Sequence, residues 1–421
     1  MDPDPQGSAT LSVIHRSVRP MFALDTAAAV QRLLRFLSVP GITGEEKLIA
    51  AEVAKALKEA GVPAKAIKFD DAHTRIPLPT QTGNLIVQLP GAGSLKDAPR
   101  QLFMTHLDTV PLCAGAKPKL AGKKIVNSAE TALGGDNRTG CAVLVTLAAE
   151  LLQQKLPHPP VTLLFTVREE SGLFGARFLD KSLLGEPKFG FNFDGRSAGD
   201  VILGAVGADR WEIELFGKAS HAGVAPERGI SATMIFALAL ADIKARGYWG
   251  KVTKPSGEGT SNIGPVGDKH GRAAGDATNV VTDYLLAKGE SRSHDPKVFK
   301  EITAAYKAAF EAAAASVTDL DGETGKAKFH ARTDYFPFRL KENTPAVKAA
   351  SAAIAAIGRT PNLRVANGGL DANWMVKHGI PTVTFGAGQN EIHTVKEWVD
   401  LVEFESGCRV ALAAATLAQA G

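Results

Sequence analysis

The sequence predicts an α/β protein with two domains, one of which is discontinuous in the chain. Strand-like and helix-like stretches alternate over residues 21–206 and again over 341–421, as a mostly parallel sheet with helices on both faces requires. Between them, residues 207–340 contain strands with alternating apolar and polar positions, typical of an antiparallel sheet with one solvated face. The chain of 421 residues is also longer than one hydrophobic core usually supports.

The first part of the chain reads as two helices followed by strands. Apolar residues recur at helical spacing in residues 25–37. A second helix is expected over 44–60, because Thr43 can cap its start and Gly61 follows its last turn. Strand patterns then follow at residues 64–69, 84–89 and 101–105.

Polar side chains stand at the ends of the strands in this part. A helix is expected from Gly134 to about residue 154, and strands at 161–167 and 189–193. The residues that follow the predicted strand ends are His106, Glu169, Glu170 and Asp194. Because sites in open α/β sheets lie at the carboxyl ends of the strands, we expect these four side chains to meet.

The intervening residues predict a small α+β domain with a ferredoxin-like order, β-α-β-β-α-β. Its strands are expected at 211–216, 261–266, 278–286 and 326–335, and its helices at 230–245 and 296–316. A stretch rich in Gly, Pro and Ser, 250–261, reads as a loop. After Asn343 the α/β pattern resumes, with a helix at 344–357, a strand at 381–385 and a helical region at 394–420.

Composition argues against several classes of protein. The net charge of +4, from 48 basic and 44 acidic residues, is too small to indicate a nucleic-acid partner. No apolar run is long enough for a transmembrane helix, so no membrane partner is expected. Three scattered cysteines without a CxxC pair fit a cytoplasmic location. Residues 1–20 lack a signal-peptide core and are expected to form a disordered extension.

The central motif is a histidine and an aspartate two positions apart, His106 and Asp108, at the end of a predicted strand. In extended chain, residues i and i+2 point to the same face. A carboxylate beside a ligating imidazole fixes its orientation and strengthens it as a metal ligand. The pair alone is a weak signal, because such short combinations often arise by chance.

Imidazole and carboxylate groups elsewhere complete a predicted metal site, which consists of His106, Asp136, Glu170, Asp194 and His393. This donor set without thiolate suits zinc, with cobalt or manganese as alternatives. Three carboxylates and a bridging hydroxide carry four negative charges, which two divalent ions balance. Asp136, in a glycine-flanked turn at a helix start, is the natural bridge between them.

Glu169 precedes a predicted ligand, Glu170, and neighbouring residues at a strand end face apart. Glu169 is therefore the predicted general base for water activated by the metals. Each candidate also has an ordinary interpretation when taken alone. Glu169 and Glu170 can be a solvated pair, Asp136 a helix cap, Asp194 a turn residue, and His393 or His221 a surface histidine. Their recurrence in order at strand ends argues against all of these together.

The combination resembles the M20 family of metallopeptidases, and within it the peptidase T-like group. The resemblance covers about residues 23–417. The segments that carry it are THLDTVP (105–111), GGDNRTG (134–140), VREESG (167–172), NFDG (192–195), SHAGVAP (220–226), DATNVV (276–281) and EIHTVKEWV (391–399).

The resemblance implies a role for each site residue. One metal would be held by His106, Asp136 and Asp194, and the second by Asp136, Glu170 and His393. Glu169 would be the base and Asp108 the orienting carboxylate. Residues 207–340 would form a lid and dimerisation domain. Its His221 would stabilise the oxyanion in a partner subunit's site, Asn279 and Arg292 would bind the substrate's backbone or carboxylate, and Gly369 would line the pocket.

We therefore expect a di-metal hydrolase that cleaves the amide bond of di- or tripeptides from the amino end and acts as a homodimer. An alternative is an amidohydrolase that cleaves N-acyl or N-carbamoyl amino acids, a hydrolysis that the same metal centre could perform. A non-catalytic binding protein on this fold is a third hypothesis. It would be expected to lack Glu169 or a ligand, whereas every predicted residue is present.

Overall fold

A computed structural model describes residues 23–275 and 277–417. Its α-helices are α1 (Thr26–Leu37), α2 (Lys47–Glu59), α3 (Ala72–Arg75), α4 (Gly135–Gln153), α5 (Phe174–Arg177), α6 (Ala232–Ala245), α7 (Pro296–Ser316), α8 (Pro345–Ala356), α9 (Asp371–Lys377) and α10 (Leu401–Thr416). Its strands are β1 (Ile67–Phe69), β2 (Leu85–Leu89), β3 (Gln101–His106), β4 (Pro118–Ala121), β5 (Lys124–Asn127), β6 (Val161–Thr166), β7 (Phe189–Phe193), β8 (Asp200–Ala205), β9 (Gly207–Phe216), β10 (Gly250–Lys254), β11 (Gly257–Gly267), β12 (Tyr284–Ser293), β13 (Lys326–Tyr335), β14 (Phe338–Arg339), β15 (Asn362–Ala366), β16 (Thr382–Phe385), β17 (Gln389–Asn390) and β18 (Trp398–Asp400).

The larger sheet runs in the order β1-β2-β6-β3-β7-β16-β8-β14, and β15 also pairs with β8. Its centre, from β6 through β3 and β7 to β16, is parallel, whereas β1, β2 and β14 pair antiparallel. The sheet is thus mixed, with parallel pairing in its centre. Strands β3, β6 and β7 are buried along their whole length and are mostly apolar, as strands covered on both faces are.

Helices cover both faces of this sheet, which confirms the predicted α/β class. On one face, Phe103 and Phe165 pack with residues of α1, α2, α4, α8 and α10. On the other face, Met104 and Leu164 pack with Ala176 of α5 and Met375 of α9. Adjacent residues of one strand therefore enter different cores, as the alternation of side chains along a strand requires.

A second, antiparallel sheet of five strands, β10-β11-β12-β9-β13, is formed between β8 and β14. Helices α6 and α7 cover one of its faces, where Trp211 packs on Tyr306 with ring centroids 4.6 Å apart. The chain enters from β8 through Val206 and returns through β14, which pairs with β8. By this pairing, Phe338–Arg339 belongs to the larger sheet, although it precedes the predicted boundary at 340. The boundaries themselves stay a prediction.

Three local predictions were wrong. The strand predicted at 278–286 lies later in the chain, as β12 (Tyr284–Ser293). The stretch 250–261, predicted as a loop, is most of a hairpin in which Lys254 pairs with Gly257 around a turn at Pro255 and Ser256. Pro and Gly punctuate the turn, while the residues between them pair as strands, so the ferredoxin-like order gains a strand. Residues 394–400, predicted as helix, contain β18, which pairs with β5 in a small sheet.

The predicted extension at residues 1–20 lies outside the described residues. Within the described ranges, no helix combines the length and the apolar character needed to cross a bilayer.

Candidate active site

Three neighbouring strands of the larger sheet deliver the acidic and imidazole side chains to one edge. His106 is the last residue of β3, Glu169 and Glu170 follow β6, and Asp194 follows β7. Because β6, β3 and β7 are adjacent and parallel, their carboxyl ends coincide. Asp136 joins them from the first turn of α4, and His393 from the loop after β17.

Asp136 lies between the two imidazoles. Its Oδ1 is 3.1 Å from His106 Nε2, and its Oδ2 is 3.2 Å from His393 Nε2. His106 Nε2 is also 3.6 Å from Asp194 Oδ1, and His393 Nε2 is 3.1 Å from Glu170 Oε2. Two groups of three side chains therefore share one carboxylate, each group using a different oxygen of Asp136.

Asp108 connects His106 to the glutamate pair. Its Oδ1 is 3.5 Å from His106 Nδ1, which also faces the Asp108 backbone carbonyl at 3.0 Å. The same carboxylate accepts hydrogen bonds from the backbone N–H groups of Glu169 (3.0 Å) and Glu170 (3.1 Å). The side chain is fully buried. One carboxylate thus fixes the imidazole ring and the backbone that carries both glutamates, and sequence reasoning anticipated only the first contact.

The turn that carries Asp136 depends on Glu397, which sequence reasoning did not single out. Gly134 has a φ of +84°, a conformation that glycine adopts without steric cost. Glu397 accepts hydrogen bonds from the backbone N–H groups of Leu133 and Gly134 at 2.8 Å, and from that of Asp136 at 3.1 Å. The only signal in the sequence was an acidic residue inside the segment 391–399.

Backbone strain accompanies the site. Arg168, which precedes Glu169, has a φ of +51°, and His393 has a φ of +61°. Residues other than glycine rarely adopt a positive φ. Residues that do so cluster at functional sites, where the surrounding structure imposes the strained backbone. At Arg168, the backbone N–H donates to Oε1 of the buried Glu46 at 3.1 Å. This carboxylate therefore holds the strained position just before the glutamate pair.

The carboxylates at this edge repel one another. Burial raises the pKa of Glu169 well above its usual range, and the negative charges of Asp194 and Glu170 raise it further. Burial and the charge of Asp136 raise the pKa of Glu170 to about 7. Against the effect of burial, hydrogen bonds to Asp108, Asp136 and Asp194 raise the pKa of His106.

This arrangement fits a cation. The ligand atoms of His106, Glu169 and Asp194 lie within 4.8 Å of one another, and so do those of His106, Asp136 and Glu170. Imidazole nitrogen and carboxylate oxygen without thiolate suit zinc and its neighbours in the first transition row. A bound divalent ion would neutralise the repulsion among the buried carboxylates. Glu169, predicted only as the base, also lies within reach of the ligand set.

Comparison with known proteins decides the family. The profile of Peptidase family M20/M25/M40 matches residues 102–417. The chain belongs to this family. The M20 chain is therefore a hydrolase of the metallopeptidase class, and the predicted resemblance is confirmed.

Relatives of this M20 chain include the uncharacterized protein YqjE of Bacillus subtilis, which is 33% identical over 379 residues, 89% of this chain and 94% of that protein. Among solved structures, an aminopeptidase PepT from Bacillus cereus has a TM-score of 0.77 and 30% identity, covering 93% of this chain and 98% of that one. A tripeptidase from Staphylococcus aureus has a TM-score of 0.81 and 27% identity, with the same coverage.

The predicted substrate residues of the M20 chain are more dispersed. His221 is exposed, and its Nδ1 accepts hydrogen bonds from the N–H groups of Gly223 and Val224 at 3.1 Å. Asn279 lies beside it and accepts a hydrogen bond from Ala222 at its backbone carbonyl. In the part of the chain that the structure describes, no hydrogen bond or ion pair joins either side chain to the predicted metal ligands.

Arg292 and Gly369 lie where the two sheets meet. Arg292 is on β12, and Gly369 packs against the ring of Tyr335, so closely that an added Cβ would lie 2.5 Å from Tyr335 Cζ. Next to Gly369, the buried Asp371 accepts a hydrogen bond from the hydroxyl of Thr166 at the end of β6. Burial raises the pKa of Asp371 to about 7. Tyr335 and Asp371 were not foreseen, because the sequence offers no periodic or motif signal for them.

Proposed function

We propose that this M20 peptidase hydrolyses the amide bond of short peptides, with an aminopeptidase-like preference for di- or tripeptides. The observation that carries the proposal is the position of Asp136 between His106 and His393, with one oxygen toward each imidazole. The names of the two solved structures with 27–30% identity support peptides as the substrate class.

The residues present favour two divalent ions, zinc first and cobalt or manganese as alternatives. His106, Asp136 and Asp194 would hold one ion, and Asp136, Glu170 and His393 the other. When bound, such ions polarise a carbonyl and lower the pKa of water toward ~7. Asp108 would fix the position of the His106 ring relative to the backbone of Glu169 and Glu170.

Glu169 would act as general base and then as general acid. Its carboxylate would take a proton from the attacking water and return it to the nitrogen of the leaving amine. Burial and the neighbouring carboxylates raise its pKa, which favours a group that must hold a proton between the two transfers. Within the substrate pocket, Arg292 would bind a terminal carboxylate, Asn279 the backbone, and Gly369 would allow close approach of the substrate.

A homodimer through the inserted domain would complete the site. His221 is exposed and has no polar contact with the metal ligands among the described residues, so its predicted role in stabilising the oxyanion needs a second copy. An apolar stripe on the outer face of α6 supports such an interface, since Met234 is 52% and Leu238 43% exposed. A cytoplasmic location is proposed because Cys113, Cys141 and Cys408 are buried free thiols.

A substrate panel tests the proposal. Chelated protein is reloaded with zinc, cobalt or manganese and assayed with dipeptides, tripeptides, N-acyl amino acids and N-carbamoyl amino acids. We expect turnover of peptides with a free amino end after reloading and none after chelation. Turnover of N-acyl or N-carbamoyl amino acids without turnover of peptides would instead establish the alternative amidohydrolase.

A further inference from the structure

Arg292 forms a two-point ion pair with a carboxylate of its own strand. Its Nε is 2.8 Å from Glu290 Oε1, and its Nη2 is 2.9 Å from Glu290 Oε2. The two residues are two positions apart on β12, so their side chains point to the same face. The side chains are 25% and 24% exposed. One two-donor edge of the guanidinium, the geometry that best binds a carboxylate, is thus already filled.

This ion pair lies at the end of the inserted sheet that adjoins the larger domain, because Arg292 and Tyr335 both pair with Ala208 of β9. Tyr335 packs on Gly369, and the charges of both Arg292 and Glu169 act on its hydroxyl. Burial raises the pKa of Tyr335, and Arg292 lowers it while Glu169 raises it. A cavity of about 740 Å³ adjoins the pair and is lined by Arg210, Glu290 and Arg332 on the sheet and by Leu78 from the larger domain.

The charges around the pair do not cancel. Three guanidinium groups, those of Arg210, Arg292 and Arg332, face two carboxylates, those of Glu290 and Asp334. Asp334 is 2.8 Å from Arg210 Nε and 2.9 Å from Arg332 Nε. One positive charge is left over, which a single carboxylate from a ligand would balance. Arg210 Nη2 is also 3.9 Å from Glu290 Oε2, so a second cation stands beside Glu290.

We propose that Glu290 determines specificity for peptides with a free α-carboxylate. Glu290 pairs with Arg292 until the substrate carboxylate takes its place on Arg292, and Glu290 then pairs with Arg210. The inference rests on the proposed function, in which Arg292 binds the terminal carboxylate of a short peptide. Peptides with a free α-carboxylate displace Glu290. A peptide amide has no charge with which to compete, and it leaves the Glu290–Arg292 pair intact.

The test compares a tripeptide with its C-terminal amide in wild type and Glu290→Gln. The exchange removes the competing charge and keeps the shape of the side chain. We expect KM for the free acid to fall about fivefold, the upper range for a partly exposed ion pair, with kcat unchanged. KM for the amide stays the same. Arg210→Gln removes the cation that receives Glu290 and raises KM for the acid about threefold.

Controls separate this effect from general changes in charge. Glu212 lies one row further along the same face and pairs with Lys288 at 3.6 Å, so Glu212→Gln is expected to leave the acid-to-amide ratio of KM unchanged. Glu290→Asp shortens the side chain and is expected to shift the ratio in the same direction as Glu290→Gln. Glu290→Asp is used in place of Glu290→Gln if the Glu290→Gln protein fails to fold.

The possible results are distinct. Peptide turnover by wild type with an unchanged or inverted acid-to-amide ratio in the Glu290 variants overturns the inference alone. A fall in KM for the amide equal to that for the acid also overturns it, because the effect would then not depend on the carboxylate. Absence of turnover of every peptide by the metal-loaded wild type overturns the proposed function and, with it, this inference.

Discussion

Three carboxylates at the candidate active site differ in the groups that they contact. Asp136 faces two imidazoles, Asp108 joins an imidazole to two backbone amides, and Glu169 makes no side-chain hydrogen bond to another described residue. A half-buried carboxylate without such a partner is costly in free energy unless a cation or a proton compensates it. This environment favours a group that exchanges protons, which is the role proposed for Glu169.

Glu169→Gln tests that role. We expect kcat to fall by about 10³-fold, within the range for loss of a general base, because the amide cannot accept the proton from water. Bound metal, measured by elemental analysis, should remain at the wild-type level. Glu311→Gln on the exposed side of α7 serves as the control. Wild-type rates in Glu169→Gln would exclude the general-base role.

Glu46 offers a test of stability against pH. It is fully buried, and its Oε2 has no hydrogen-bond partner among the described residues. Burial and the nearby charge of Asp108 raise its pKa to about 7 from 4.5. A raised folded-state pKa means that the native protein binds the proton more tightly than the unfolded chain. Its stabilising contribution is complete below pH 4.5 and is lost as pH rises through about 7.

In Glu46→Gln this pH dependence should disappear. We expect the free energy of unfolding of the metal-free protein to fall less between pH 5 and pH 8 than in wild type, by about 2 kcal/mol. Urea denaturation at both pH values measures it, with the exposed neighbour Glu45→Gln as control. Parallel pH profiles for Glu46→Gln and wild type would contradict the assignment.

At the scale of elements, the site is assembled from the ends of strands and of one helix, and not from the interiors of these elements. Strands β3, β6 and β7 stop at the same edge, and the loops beyond them carry strained residues such as Arg168 and His393. The start of α4 is bent at Asp136 and Asn137, whose backbone angles are not helical. Glu397 binds the amides of this bend, so a residue that touches no imidazole sets the position of Asp136.

Removal of the Glu397 carboxylate should therefore weaken metal binding. We expect Glu397→Gln to lower metal affinity about 10- to 100-fold, as loss of a supporting contact does in metal sites, while the fold is retained. Competition with a chelator of known affinity gives the value, and circular dichroism reports the fold. Glu391→Gln, an exposed acid in the same segment, is the matched control. Equal metal affinities in both variants would show that Glu397 does not support the metal site.

At the scale of the whole molecule, the predicted metal site and most of the predicted substrate contacts lie in different domains. The larger sheet presents the predicted metal ligands and the predicted base. The inserted domain carries Arg292 on β12 and carries His221 and Asn279 in loops outside its strands. The inserted sheet packs α6 and α7 on one face and leaves the outer side of α6 apolar. Helices that are apolar on both sides are usually covered on both sides, which is consistent with a second copy at this surface.

Leu238→Glu on α6 tests the dimer. We expect light scattering to give the mass of a dimer for wild type and of a monomer for the variant, because a buried unpaired charge is costly at an apolar interface. Activity should fall with dissociation if His221 acts across subunits. Lys244→Glu on the same helix changes the charge away from the stripe and serves as control. A fully active monomeric wild type would refute the role of His221 in a partner site.

How far the sequence could predict the molecule depended on the range of the interactions. Periodicity located most helices and the central strands, because burial on one face or two leaves a local pattern. The hairpin β10–β11 was missed, since its turn residues outweighed the short strands beside them. Glu397, Asp371 and Tyr335 carry no local pattern, because their partners are far away in the chain.

The sequence by itself determined the α/β class, the five candidate ligands with Glu169 and the M20 resemblance, because short motifs at strand ends are local features of the chain. Only the tertiary structure decided that Asp136 turns one oxygen to each imidazole, that Asp108 holds both glutamate amides, and that Glu290 occupies Arg292. These are distances between side chains, and they depend on strand order and register, which no local pattern encodes.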